Sequence, residues 1–169
     1  MRNPRQITRA FVGLWLFLCA SLAAAGTPFK DSFGDLRDDL ADALRSGKTL
    51  VLVFSMDGCA ACRALEERTL RDKAVRAFLR DRYDLVRLDL RGTLAIVEPR
   101  GEKTSESEFA AELGVFATPT LIVLDRHGRP VKRLVGTLPP AAFIESMAAT
   151  PSGGARAQRE LAKLAQPGR

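Results

Sequence analysis

The amino-acid sequence predicts an α/β domain in which a central mixed sheet of about four to five strands is flanked by helices on both faces. Three observations lead there. Leu50-Val-Leu-Val-Phe-Ser55 is an apolar run rich in branched residues, the composition of a strand buried on both sides. It breaks at Met56-Asp57-Gly58, and Cys59-Ala-Ala-Cys62 then leads into the good helix formers Arg-Ala-Leu-Glu-Glu-Arg. Beyond them the pattern runs strand, helix, paired strands and closing helix, an order that covers a small sheet from both sides.

The elements follow in chain order. A helical pattern places Phe33, Leu36, Leu40 and Leu44 near one face, with Asp31 or Ser32 as its cap and Gly47 at its end. After the strand at 50–55, Cys59 falls at the first turn of a helix that runs to about Thr69, and Cys62 lies one turn on, on the same side. Asp72 offers a second cap for a segment carrying Val75, Phe78 and Leu79, so the long helix is kinked or interrupted there. Leu85-Val-Arg-Leu-Asp-Leu90 is the next strand, parallel to the first through a right-handed crossover. Leu94 to Val97, with a turn at Arg100-Gly101, fits a small hairpin. Ser105 and Glu108 form a capping box that opens a helix ended by Gly114. Thr120 to Leu124 and Pro130 to Val135 are strands joined by the turn Asp125-Arg-His-Gly128. Pro139-Pro140 starts the last helix, which carries Phe143, Ile144 and Met147.

At 169 residues the chain suffices for one domain with a real core. Three of its six net positive charges are Arg2, Arg5 and Arg9. The other charges are mixed, with no basic cluster interleaved with aromatics, and no nucleic-acid role is expected. Residues 1–25 read as a signal peptide: a basic start, an apolar core from Ala10 to Leu22, and small residues at Ala23 to Ala25. That core is shorter than the roughly 18–20 apolar residues of a spanning helix, so cleavage before Gly26 is expected, with retention as an anchor the alternative. Residues 26–150 then form the domain. Residues 151–169 are a tail, a Pro-Ser-Gly-Gly linker and a loose amphipathic helix. Cys19 leaves with the signal, and the exported chain keeps only Cys59 and Cys62. A loop this short makes a poor staple, because closing it removes little unfolded-chain entropy. Exchange with other disulfides is the better use. At a helix entrance, free N–H groups and the macrodipole favour a thiolate, lowering cysteine pKa values from about 8.5 to roughly 3.5–7.5.

Cys59-Ala-Ala-Cys62 after a hydrophobic strand, together with Phe116-Ala-Thr-Pro119-Thr120 before a hairpin, resembles the thioredoxin superfamily over about Phe29 to Ala149. Leu65-Glu-Glu-Arg-Thr-Leu70, the longer middle segment and Gly136-Thr-Leu-Pro-Pro140 are most similar to exported members of the SoxW type. The resemblance implies a thioredoxin-like fold and a thiol:disulfide oxidoreductase of the periplasm. Cys59 would be its nucleophile, Cys62 its resolving thiol, and Pro119 a cis-proline facing them with Thr118 beside it, the pair binding substrate. It also implies disulfide-bearing or dithiol client proteins and a membrane electron donor of the DsbD or CcdA kind. A monomer without cofactor or metal, and without stable membrane insertion once the signal is removed, is expected. Two departures stand out. Gly58 occupies the usual tryptophan position, and Val53 lies where thioredoxin has a buried aspartate. The uncharged Ala-Ala pair suggests a reducing couple nearer roughly −270 mV than −120 mV.

Two other classes compete. Met56, Cys59 and Cys62 could supply a thioether and two thiolates to Cu(I), making a soft-metal module, although the Thr118-Pro119 segment would then have no purpose. A redox-inactive interaction domain is the third reading. Zinc wants four ligands, and only Cys59, Cys62 and His127 remain after processing. His127 sits in a turn, where a solvated role is expected.

Overall fold

The computed structural model describes residues 27–149. The expected signal at residues 1–25, with Trp15 and Cys19, and the tail at 151–169 lie outside the described residues. Helix α1 spans Leu36–Arg45, strand β1 Thr49–Ser55 and helix α2 Ala60–Ala64. A π-helical stretch over Leu65–Leu70 continues α2, and α3 covers Lys73–Arg80. Then come β2 at Tyr83–Asp89, the short strands β3 at Ala95–Val97 and β4 at Lys103–Ser105, and α4 at Glu106–Glu112. Strands β5 at Thr120–Leu124 and β6 at Pro130–Val135 precede α5 at Pro140–Ala148.

The main sheet is four-stranded, in the order β2-β1-β5-β6, and β3 and β4 form a separate hairpin. β1 and β2 are parallel, with Thr49 opposite Tyr83. β5 runs antiparallel to β1 and to β6. Beyond β2, Phe29 adds a single parallel bridge to Leu85. Strand β1 is central and sorts its side chains by the two-residue period of a strand. Leu50, Leu52 and Phe54 enter the layer shared with α1 and α4, alongside Leu36, Ile122 and Phe109. Val51 and Val53 enter the opposite layer with Leu65, Leu70, Val75 and Phe143. The sheet is therefore covered on both faces, as the apolar run of β1 requires.

Two elements differ from the sequence expectation. α1 starts at Leu36, capped by Asp35, whose side chain accepts from Asp38 N at 3.0 Å, rather than by Asp31 or Ser32. The reason is tertiary. Gly34 O accepts from Val97 N at 2.8 Å, which ties this segment to β3, and the Ser32 hydroxyl goes instead to buried Asp39. Phe33 is left fully exposed, outside the helical face. The helix after Cys62 also changes hydrogen-bond pattern: Arg71 N reaches Glu66 O, five residues back, at 3.0 Å. Asp72 then caps α3, accepting from Ala74 N at 2.8 Å and Val75 N at 3.1 Å. The capping box is present, with Ser105 N donating to Glu108 Oε2 at 3.0 Å.

Candidate active site

The end of β1 delivers the chain to a tight turn in which Gly58 adopts φ +76°. A bulky L-residue is strained in that conformation, which gives the missing tryptophan a backbone reason. Cys59 follows as the N-cap of α2, and its sulfur accepts from Cys62 N at 3.0 Å. A cysteine here does what serine or aspartate does at other helix starts: it satisfies one of the orphan N–H groups. Cys59 and Cys62 are joined in a disulfide with their Cα atoms 5.2 Å apart. Burial separates the two sulfurs' roles. Cys59 is partly exposed, whereas Cys62 is buried at 5% exposure. Only the first lies open to a large partner.

The second half of the site comes from the segment before β5. The Thr118–Pro119 peptide is cis. The Thr118 hydroxyl donates to Cys59 Sγ at 3.3 Å, and the Thr118 carbonyl oxygen lies 3.7 Å from the same sulfur. The neighbouring backbone is held from both sides: Gly136 N donates to Pro119 O at 2.8 Å and the Thr120 hydroxyl to Ala117 O at 2.7 Å. The fold thus brings together all four residues singled out by sequence, Cys59, Cys62, Thr118 and Pro119. Phe116, 83% exposed two residues before Thr118, was not singled out. Its signal was an apolar side chain in a segment that otherwise reads as a turn.

What surrounds the pair restricts its chemistry. Val53, where an acid would stand in thioredoxin, is buried within the apolar layer that includes Leu65 and Leu121. The buried carboxylates of the described residues, Asp39, Glu98 and Glu106, belong to α1, the β3–β4 turn and α4 on the other side of the sheet. Met56 is half-buried, and its carbonyl accepts from Cys59 N at 3.3 Å. His127 is exposed in the β5–β6 turn, at the far end of β5 from Thr118. Among the described residues no group of three histidine, cysteine or acidic side chains is arranged to hold a metal ion, and no helix is long and apolar enough to cross a membrane.

Comparison with known proteins places this geometry. A family model described as a thioredoxin-like domain matches residues 36–150. The chain is 28% identical over 132 residues to the chloroplastic thioredoxin-like protein HCF164 of Oryza sativa subsp. japonica, covering 78% of this chain and 41% of the relative. It is 31% identical over 113 residues to the thiol:disulfide interchange protein DsbD of Vibrio vulnificus, covering 66% of this chain and 17% of that protein. It therefore spans less than half the length of these relatives. Among solved structures, a thioredoxin-fold protein from Helicobacter pylori superposes with a TM-score of 0.61 at 21% identity, covering 80% of this chain and 83% of its own.

Proposed function

This chain belongs to the thioredoxin-like domain family, and from that premise we propose that it is a thiol:disulfide oxidoreductase that reduces protein disulfides outside the cytoplasm. One observation carries the reading: a Cys59–Cys62 disulfide at a helix entrance, its exposed sulfur in contact with Thr118 of a cis-proline segment. In the reduced protein the Cys59 thiolate attacks one sulfur of a client disulfide. A Cys59–client bond forms, and the client's other sulfur leaves as a thiolate. The Cys62 thiolate then attacks Cys59 Sγ, and the client's second thiolate departs. Two electrons pass from the dithiol to the client, and Cys59–Cys62 is left oxidised. The edge at Ala117 and Thr118, facing the exposed sulfur, suits an extended client segment adding alongside it.

Within the family the reading is an exported SoxW-type protein of the periplasm, recharged by a membrane dithiol donor of the DsbD or CcdA kind. The apolar, basic start of the sequence and the likeness to a thiol:disulfide interchange protein support it. The test is the equilibrium potential of the Cys59–Cys62 pair, followed by mass-shift trapping of thiols. A reductant should lie well below about −150 mV, nearer thioredoxin's roughly −270 mV than the roughly −120 mV of a strong oxidase. A value above about −150 mV overturns the direction. A chain that neither reduces insulin nor equilibrates with a dithiol couple overturns the activity.

A further inference from the structure

A cleft of about 640 Å³ opens at the far end of the sheet from the disulfide, between α3, the starts of β1 and β2, and the segment 27–30. Strand β1 has seven residues, so roughly 20 Å of extended chain separates the two sites. The cleft's floor is apolar: Phe29 and Ala77 offer accessible surface there, backed by the buried Leu79 and Leu85. The rim is cationic, with Lys30, Lys48, Arg71, Lys73, Arg76 and Arg80 around it and Asp84 as its one acid. Half of these charges are answered within the fold. Lys30 pairs with Asp39 and Asp42, Lys48 with Asp84, and Arg80 with Asp81. Arg71, Lys73 and Arg76 make no ion pair among the described residues, and all three are exposed.

The placement of these charges costs the fold stability. Lys73, Arg76, Ala77 and Arg80 stand three and four residues apart, on one face of α3. Like charges at such spacing destabilise a helix. Ala77 is the gap among them, short enough to leave the floor open. The flanking segments are themselves predominantly basic. Residues 1–25 carry three arginines and no acid, and residues 151–169 carry Arg156, Arg159, Lys163 and Arg169 against Glu160 alone. With these flanks basic themselves, an external anion is the better complement.

We propose that this cleft binds an anionic amphiphile, with a phosphate or carboxylate head held by Arg71, Lys73 and Arg76 and the apolar portion laid on Phe29 and Ala77. Guanidinium and ammonium groups supply charge-assisted bonds to such a head, and a concave apolar floor accepts its tail. The site is independent of the disulfide and of the activity proposed for it.

Calorimetric titration of the full oxidised chain tests this with dihexanoyl phosphatidylglycerol below its micellar concentration, octanoate, dihexanoyl phosphatidylcholine and inorganic phosphate. Phosphatidylglycerol or octanoate should bind at least tenfold more tightly than the last two, and whichever of the pair binds identifies the head group. R71E/K73E/R76E should weaken that binding at least tenfold, and the milder R71Q/R76Q by less, while both leave insulin reduction within twofold. Phosphate binding as tightly as the amphiphiles would reduce the site to an anion patch and overturn the proposal. So would equal binding of phosphatidylcholine, absence of binding by all probes, or indifference to both variants.

Discussion

Replacing Thr118 with valine removes one hydrogen-bond donor from the site and keeps the branched shape. In the oxidised protein that hydroxyl donates to Cys59 Sγ at 3.3 Å. After reduction the same sulfur is the one that must carry negative charge. A hydrogen bond to a charged group contributes about 1.5–3 kcal/mol, but sulfur is a weak acceptor and Thr118 is only half-buried, so about 1 kcal/mol is the reasonable share. One pKa unit corresponds to about 1.4 kcal/mol, and T118V should therefore raise the Cys59 pKa by roughly 0.7 unit. Cys62 N, donating to the same sulfur at 3.0 Å, is untouched, so most of the stabilisation at the helix entrance survives. The assay is the pH dependence of iodoacetamide alkylation of the reduced protein, with thiolate absorbance in the near ultraviolet as a check. The attack of Cys59 on a disulfide should slow at neutral pH in proportion to the thiolate lost, while the couple itself becomes more reducing, because its reduced form loses a stabilising contact. A Cys59 pKa unchanged within 0.2 unit would refute the contact as a source of thiolate stability.

Cys62→Ser should stop the reaction at its first intermediate, so that a covalent adduct between Cys59 and a disulfide-bearing client accumulates on mass analysis; its absence would reverse the proposed order of the two sulfurs. Glu98 tests the other layer. It is buried, and its Oε2 lacks a hydrogen-bond partner, the nearest cation being Arg100 Nη2 at 3.8 Å. Burial raises its pKa above 4.5, and Glu112 and Glu102 push the same way while Arg100 opposes them. A carboxyl whose folded pKa is raised favours folding below its unfolded pKa, and that contribution is lost as pH rises through the folded value. Glu98→Gln should therefore raise the urea midpoint more at pH 7.5 than at pH 4, and an equal effect at both would contradict the assignment. Gly128 has φ +74°, and a Cβ there would lie 2.5 Å from Pro99 Cβ. Gly128→Ala should cost about 1–3 kcal/mol by denaturant titration, with insulin reduction retained below the transition.

What the sequence disclosed about this molecule followed the distance over which each feature is decided. The helix entrance at Cys59, the capping box at Ser105 and Glu108, and the double burial of β1 are settled within a few residues, and each stands where the sequence puts it, with Cys59 one step earlier, as the cap. The approach of Thr118 to Cys59 spans 59 positions, and a Thr-Pro pair before a strand reads alike with either peptide isomer. Only the likeness to a known family pointed to it. The start of α1 was misplaced because Asp31, Ser32 and Asp35 are all competent caps, and the choice among them is made by Val97 and Asp39, partners that local pattern does not reveal. The π-helical turn at Leu65–Leu70 carries no local breaker either; the Thr69 hydroxyl is instead held by Leu138 O, 69 positions away, at 2.6 Å. The basic cleft is the extreme case. Its cations come from segments 27–30, Lys48 and α3 with its preceding turn, none of which is a charge run along the chain. Mixed charge in one dimension, which argued against a polyanion partner, folds into a predominantly basic rim in three. Pattern reading therefore locates chemistry that sits on one element and misses chemistry assembled between several, and here the redox pair is of the first kind and the cleft of the second.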